Sequence, residues 1–303
     1  MPEPGTASLV AIFGPTASGK SAVAELLAER LGGEVVSADS AALYAGLPLL
    51  TAAPSFPTRL VGIYPLAHSV SVGDYQRLAH AAIDEILSGG RVPILAGGSG
   101  LYLRAALGTL ALPPSATAGE RERLGRLYDE LGAEAAHLTL AARDPAAAAR
   151  VHPNDRRRVV RALELAEQGA SLAPATDTLW SEDTRQPTLL LGLELTDGEL
   201  ERRVRVRLTE MVDRGVVAEA REAWRGSLSE TARRVLGLEQ FATLPLADAL
   251  EATMRATLRL ARYQRKWLRR LKVAARLDAE RPPEEIADEI IALARARERL
   301  SRH

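Results

Sequence analysis

The chain has 303 residues, 47% hydrophobic and 26% charged, with 39 basic against 39 acidic residues and no cysteine. This is an ordinary globular composition, long enough for one large domain or two smaller ones. It excludes disulfides and thiolate metal sites, and no apolar run is long enough to span a membrane.

The segment Met1-Pro2-Glu3-Pro4 lacks a basic n-region and an apolar signal core, so a cytoplasmic location is expected. Residues 8–13 form a short apolar run that reads as a buried strand, and residues 22–31 carry helical spacing through Val23, Leu26, Leu27 and Leu31. Between them lies Gly14-Pro15-Thr16-Ala17-Ser18-Gly19-Lys20-Ser21, which fits the P-loop pattern at every fixed position. Loop N–H groups and the helix dipole at such a junction point at bound oxygens. Lys20 would neutralise a terminal phosphate, and Ser21 would place its hydroxyl on Mg²⁺. The motif implies phosphate or diphosphate binding without naming the molecule that carries it.

Gly32-Gly33 ends the first helix, and residues 34–38 read as a second strand with Asp39 and Ser40 at its C-terminal end. In open α/β sheets ligands bind at that end. Residues 47–71, with four prolines, read as loops around short elements. A helix is expected over 73–87, a third strand over 92–96, the turn Gly97-Gly98-Ser99-Gly100, and a helix over 101–107. This alternation implies a parallel sheet with right-handed crossovers. From 118 to 169 the chain reads as helices only, most clearly 141–150 and 156–167. Residues 169–187 look like a connection, and 188–195 return as a strand. Helices follow over 197–214, 216–224, 246–275 and 283–300. The fold class expected is α/β: a P-loop NTPase-like parallel sheet flanked by helices, with an all-helical insertion. Residues 1–113 and 188–303 form the catalytic core, and 114–187 the insertion.

Two roles are open for Asp39. At a strand tip beside a P-loop it could hold the water shell of Mg²⁺ or accept a substrate proton; equally, Asp-Ser is common in turns and helix caps. Taken alone, Gly97-Gly98-Ser99-Gly100 is a plain β–α turn, but at the same sheet edge it could bring Ser99 near Asp39. In the helix opened by Asn154 or Asp155, Arg158 and Arg161 share one face, and a solvated face is sufficient explanation. Zero net charge argues against a nucleic-acid partner; the distribution argues otherwise. Between 254 and 276 lie nine basic residues and no acid. Arg255, Arg259, Arg262, Lys266 and Arg269 form one stripe beside an apolar stripe of Met254, Leu258, Ala261, Leu268 and Leu271. That pairing suits contact with a polyanion or diphosphate, because a solvated helix usually carries acids four residues away.

These residues resemble a known family. Gly14 to Ser21, Ser37-Ala38-Asp39-Ser40 with Tyr44, Thr51-Ala52-x-Pro54, Gly97-Gly98-Ser99-Gly100-Leu101-Tyr102, His152-Pro153-Asn154-Asp155 with Arg158, and Arg161-Ala162-Leu163-Glu164 are similar to bacterial tRNA dimethylallyltransferases, in the same order. The segment from Thr257 through Gln264 to Trp267 is similar to the family's Thr-Arg-x-x-Ala-Lys-Arg-Gln-x-Thr-Trp. The resemblance implies transfer of a dimethylallyl group from dimethylallyl diphosphate to N6 of the adenosine 3′ of the anticodon, in tRNAs reading U-initial codons, with Mg²⁺. The P-loop would then hold the diphosphate of a prenyl donor, with Arg234 in the same set. Asp39 takes the family's base position and Ser99 that of its Thr beside the reacting amine. Asp39, Ser40, Ala41 and Ala42, with Ser99, Arg121, Arg157, Arg158 and Arg161, fall on its tRNA-contacting positions; Arg262 and Arg269 join them from the basic stripe. Departures are Ala42 for Gln, Ala53 for Lys, Pro57-Thr58-Arg59 for Pro-His-His, Gly237-Leu238 for Gly-Tyr and Thr257-Leu258 for Thr-Arg. A cytoplasmic monomer is expected. The alternatives are prenylation of free AMP, ADP or ATP, a P-loop nucleoside or small-molecule kinase, and a nucleotide-switched RNA-binding module. A free nucleotide needs neither the long insertion nor the basic helix.

Overall fold

Leu9–Phe13 (β1) is buried at every position, as a central strand covered on both faces requires. The computed structural model describes residues 8–110, 112, 118–173, 179 and 183–300. After β1 come Lys20–Leu31 (α1), Glu34–Ser37 (β2), Thr58–Arg59 (β3), Val72–Ser88 (α2), Pro93–Gly97 (β4) and Gly100–Leu107 (α3). Helices Ala118–Leu131 (α4), Ala133–Arg143 (α5), Pro145–Ala148 (α6) and Arg156–Glu167 (α7) follow. Thr188–Glu194 (β5), Asp197–Asp213 (α8), Val216–Arg225 (α9), a 3₁₀ turn at Ala232–Arg234, Leu238–Thr243 (α10), Leu246–Arg270 (α11), Ala275–Asp278 (β6) and Pro283–Leu300 (α12) follow among the described residues.

Among the described residues six strands form one sheet in the order β3-β2-β4-β1-β5-β6, with every pairing parallel. Val10 faces Ile94 on one side and Leu189 on the other, so three buried apolar runs stack as the centre of the core. A capping box between Ser71 and Asp74 starts α2, and the Thr196 side chain caps α8. The chain divides into two compact units, residues 1–109 with 182–303 and residues 110–181. The boundary expected at 113/114 lies outside the described residues.

Three expectations need correction. The helix expected over 141–150 is two pieces. Pro145 has no N–H and disfavours helical backbone at the residue before it, and Asp144 is extended at φ −143°, ψ 83°. Asp144 ends α5 and caps α6 by accepting a hydrogen bond from the Ala147 N–H at 3.0 Å. The helix expected to reach 275 stops at Arg270, and Ala275–Asp278 becomes an edge strand. The free edge of β5 offers a row of backbone partners there; Ala274 N–H already donates to Leu190 O at 2.7 Å. The buried stripe of α11 also differs: it runs through Ala249, Thr253, Ala261, Gln264 and Leu268, while Met254 and Leu258 are only half-buried.

In the helical unit, Leu124, Ala136, Leu140, Val159 and Leu163 form a dry centre. Glu164 is buried at its margin and accepts from Arg121 at 3.0 Å and Arg161 at 2.9 Å. Replacing both arginines by Ala should lower stability in chemical denaturation by about 3 kcal/mol, because a buried carboxylate loses its partners. Glu164→Gln should cost less, since both guanidiniums can turn to water.

Candidate active site

The P-loop folds as it does because two residues accept left-handed backbone, Ala17 at φ 61° and Gly19 at φ 79°. The reversal starts α1 at Lys20 and buries Ser18. Lys20 is half-buried; its Nζ donates to Pro15 O at 2.6 Å and lies 3.4 Å from Ser18 Oγ. Burial lowers its pKa from 10.5 to about 8, against the opposing pull of Asp39 and with a further push from Arg207.

The ends of β2 and β4 bring the second and third loops to the same edge. Buried Tyr75 donates its hydroxyl to Ser37 O at 2.9 Å and fixes the end of β2. Asp39 follows, and its Oδ1 accepts the Ala41 N–H at 2.9 Å in a local turn. Ser99 N–H donates to Ala38 O at 3.3 Å, while its hydroxyl lies 3.5 Å from both the nitrogen and the hydroxyl of Ser40. The structure puts the P-loop, the Asp39-Ser40 turn and Ser99 at one sheet edge; Ser99 meets Ala38 and Ser40, and it is not among the cavity's lining residues. Trp267 of α11 covers Gly100, where any side chain would collide with the indole.

A cavity of about 220 Å³ opens between these loops. Its lining combines the polar residues Lys20, Ser21, Asp39, Arg207 and Gln264 with the apolar residues Val35, Ala42, Pro54, Phe56 and Leu260. Neither Arg207 nor Gln264 was assigned to the site from the sequence, although Gln264 lies in the family-like segment from Thr257 to Trp267. Arg207 donates to Thr16 Oγ1 at 3.1 Å, and Gln264 Oε1 accepts the Thr16 N–H at 2.7 Å. Burial lowers the Arg207 pKa, partly offset by Asp39. Each carried a signal. Arg207 falls on the stripe of Leu200, Val204, Leu208 and Met211, and Gln264 on that of Ala261 and Leu268. A polar group placed on an apolar face asks for a partner.

Arg234 is not among the cavity's lining residues; it is exposed and pairs with Glu230, so its assignment to the diphosphate set gains no support, whereas Arg207 does line the cavity. Ala41 is half-buried, and Ala42 is buried in the cavity wall. The basic stretch 254–276 is partly compensated after all: on α11 Arg255 pairs with Glu251 a turn earlier and Arg265 with Asp197, and on β6 Arg276 pairs with Glu194 at 2.9 Å. Arg259, Arg262, Lys266 and Arg269 remain exposed along α11, without an ion pair among the described residues. In the helical unit Asp155 is the residue that caps α7. Arg157 and Arg158 are exposed in the first turn of α7, whereas Arg121 and Arg161 are committed to Glu164.

A family model described as IPP transferase matches residues 42–271. The chain is 42% identical over 276 residues to the tRNA dimethylallyltransferase of Salinispora tropica, covering 87% of this chain and 86% of that one. It is 41% identical to the enzyme of the same name from Streptomyces coelicolor, covering 86% and 87%. Among solved structures, the tRNA isopentenylpyrophosphate transferase of Bacillus halodurans superposes with a TM-score of 0.69 at 30% identity, covering 97% of this chain and 99% of that one.

Proposed function

This chain belongs to the IPP transferase family, and from that premise we propose that it transfers a dimethylallyl group from dimethylallyl diphosphate to tRNA. The acceptor is N6 of the adenosine 3′ of the anticodon in tRNAs reading U-initial codons. The observation that carries this reading is the mixed lining of the cavity. Lys20, Arg207 and Asp39 line it together with the apolar residues Val35, Ala42, Pro54, Phe56 and Leu260. A diphosphate joined to a short hydrocarbon matches both kinds of lining.

In the reaction the bond between the allylic carbon and the diphosphate oxygen breaks, and the electron pair leaves with diphosphate. Lys20, Arg207 and the loop N–H groups take up that charge. The N6 lone pair forms the new C–N bond. Because that lone pair is delocalised into the ring, a carboxylate that accepts the proton as the bond forms lowers the barrier, and Asp39 serves. Ser99 orients the amine. The adenine leaves its stack to reach the cavity.

The hydroxyl of Ser21 and the carboxylate of Asp39 line one cavity and are hard oxygen donors, which suits Mg²⁺. Mg²⁺ is commonly bound through one or two side chains together with substrate phosphates. When bound, it would add positive charge against the leaving group.

Arg157, Arg158, Arg262 and Arg269 are exposed and suit tRNA phosphates. Changing Arg262 and Arg269 together to Gln should weaken tRNA binding and flatten its log–log salt dependence by about one unit per lost contact. Filter binding across a salt series reads this, and an unchanged slope removes α11 from the RNA interface. No helix among the described residues is long and apolar enough to cross a membrane; a monomer working in the cytoplasm completes the proposal. The deciding experiment incubates the protein with labelled dimethylallyl diphosphate and tRNA, AMP or ATP. Label is expected in tRNA alone. Label in AMP or ATP would favour the free-nucleotide reaction, and phosphate transfer from ATP a kinase.

A further inference from the structure

Gln264 has a buried carboxamide at a position of α11 where an apolar side chain would pack between Ala261 and Leu268. Burying a carboxamide is unfavourable unless it is hydrogen-bonded. Here its Oε1 accepts the Thr16 N–H at 2.7 Å, inside the P-loop and 248 residues away in sequence. The other end of the same group lies against Gly98: a Cβ at that position would run into the Gln264 amide nitrogen and would sit 3.1 Å from Gly14 O. One side chain therefore touches the loop that follows β1 and the turn that follows β4.

We propose that Gln264 is a positioning residue. Its carboxamide holds the P-loop backbone in register with the Gly98-Ser99 turn, so that leaving group and accepting amine are aligned with each other. This rests on reading the cavity as a diphosphate site beside Ser99. Thr16 is held from two directions, its N–H by Gln264 and its hydroxyl by Arg207 at 3.1 Å. The loop is thus oriented before any ligand arrives, and a preformed site aligns reacting groups without reorganising. The absence of a side chain at Gly98 is what allows the carboxamide to reach both loops.

Two other roles give different results. If Oε1 merely occupies the place of a phosphate oxygen, removing it should tighten anion binding. If Gln264 only fills space, an isosteric apolar residue should leave turnover intact. Gln264→Met separates these. Melting temperature, titration with inorganic diphosphate, and kcat and KM with saturating tRNA are measured. The positioning role predicts a folded variant whose kcat falls on the order of 10²-fold, the scale on which ångström misplacements act, with no gain in diphosphate affinity. Unchanged kcat, or tighter diphosphate binding, overturns it.

A cycle tests the same contact if Gln264→Met is unstable. Gly98→Ala should lower kcat in the otherwise unaltered protein and cost less in a Gln264→Ala background, because the Cβ then meets Gly14 O but no longer a carboxamide. Equal losses in both backgrounds overturn the proposal. Lys20→Ala serves as control. If that variant binds inorganic diphosphate as tightly as the unaltered protein, the diphosphate reading itself falls. If it loses binding while Gln264→Met keeps its kcat, only the positioning role falls.

Discussion

Asp39→Asn should fold normally and bind both substrates, yet lower the single-turnover rate by a factor on the order of 10²–10⁴, the range of a positioned proton acceptor. The structure makes this substitution clean. Asp39 Oδ1 accepts the Ala41 N–H at 2.9 Å, and the Asn carbonyl oxygen can make the same bond. The turn that carries Ser40 towards Ser99 should therefore persist. What the amide cannot do is take the proton from N6. If Asp39 chiefly holds Mg²⁺, the variant should bind the prenyl donor poorly and recover as Mg²⁺ is raised. If it only shapes the turn, the rate should barely change. Single-turnover rates at saturating substrates across a Mg²⁺ titration distinguish the three, and a near-normal rate removes Asp39 from the chemistry.

Lys20→Ala should abolish prenyl transfer by weakening donor binding while leaving tRNA affinity intact. Lys20 lies in the cavity, whereas Arg259, Arg262, Lys266 and Arg269 lie on the exposed face of α11. Equal loss of tRNA affinity in filter binding would contradict that division. A pH effect accompanies it. Burial holds Lys20 at about 8, so above that pH much of the ligand-free protein has a neutral Lys20. A bound diphosphate favours the charged form and draws a proton in. Corrected for the ionisation of free diphosphate, affinity for it should therefore be level below the ligand-free pKa of Lys20. It should fall by up to about tenfold per pH unit above it, until the pKa of the complex is passed. Calorimetry in buffers of different ionisation enthalpy should show proton uptake on binding above that pKa and little below it. The Lys20→Ala protein should lose both the uptake and the slope.

The P-loop was legible because its signals are local: a buried strand, a loop with glycine at its turn, and a lysine opening a helix. The placement of Asp39 and Ser99 was legible because parallel strands put successive loops on one edge. Local signals also marked where α7, α9 and α12 lie. They did not reveal that Ala275–Asp278 leaves the helix, since the partner is the edge of β5, made of residues some eighty positions earlier. Asp144-Pro145 did carry a local warning, and alanine-rich neighbours on both sides masked it.

Within the site the division follows the same line. The residues of the anion cradle are contiguous, so their chemistry is written in one stretch of chain. Arg207 and Gln264 reach Thr16 from helices 191 and 248 residues away. Their importance depends on which faces of α8 and α11 turn inward, and that is settled by how the helices pack on the sheet. Arg234 and Arg207 look alike as arginines in an arginine-rich chain; packing leaves one exposed against Glu230 and half-buries the other beside the P-loop. A linear chain records which groups are available. Which of them lose water and meet is decided by the fold, because desolvation and hydrogen bonding act only between atoms brought together.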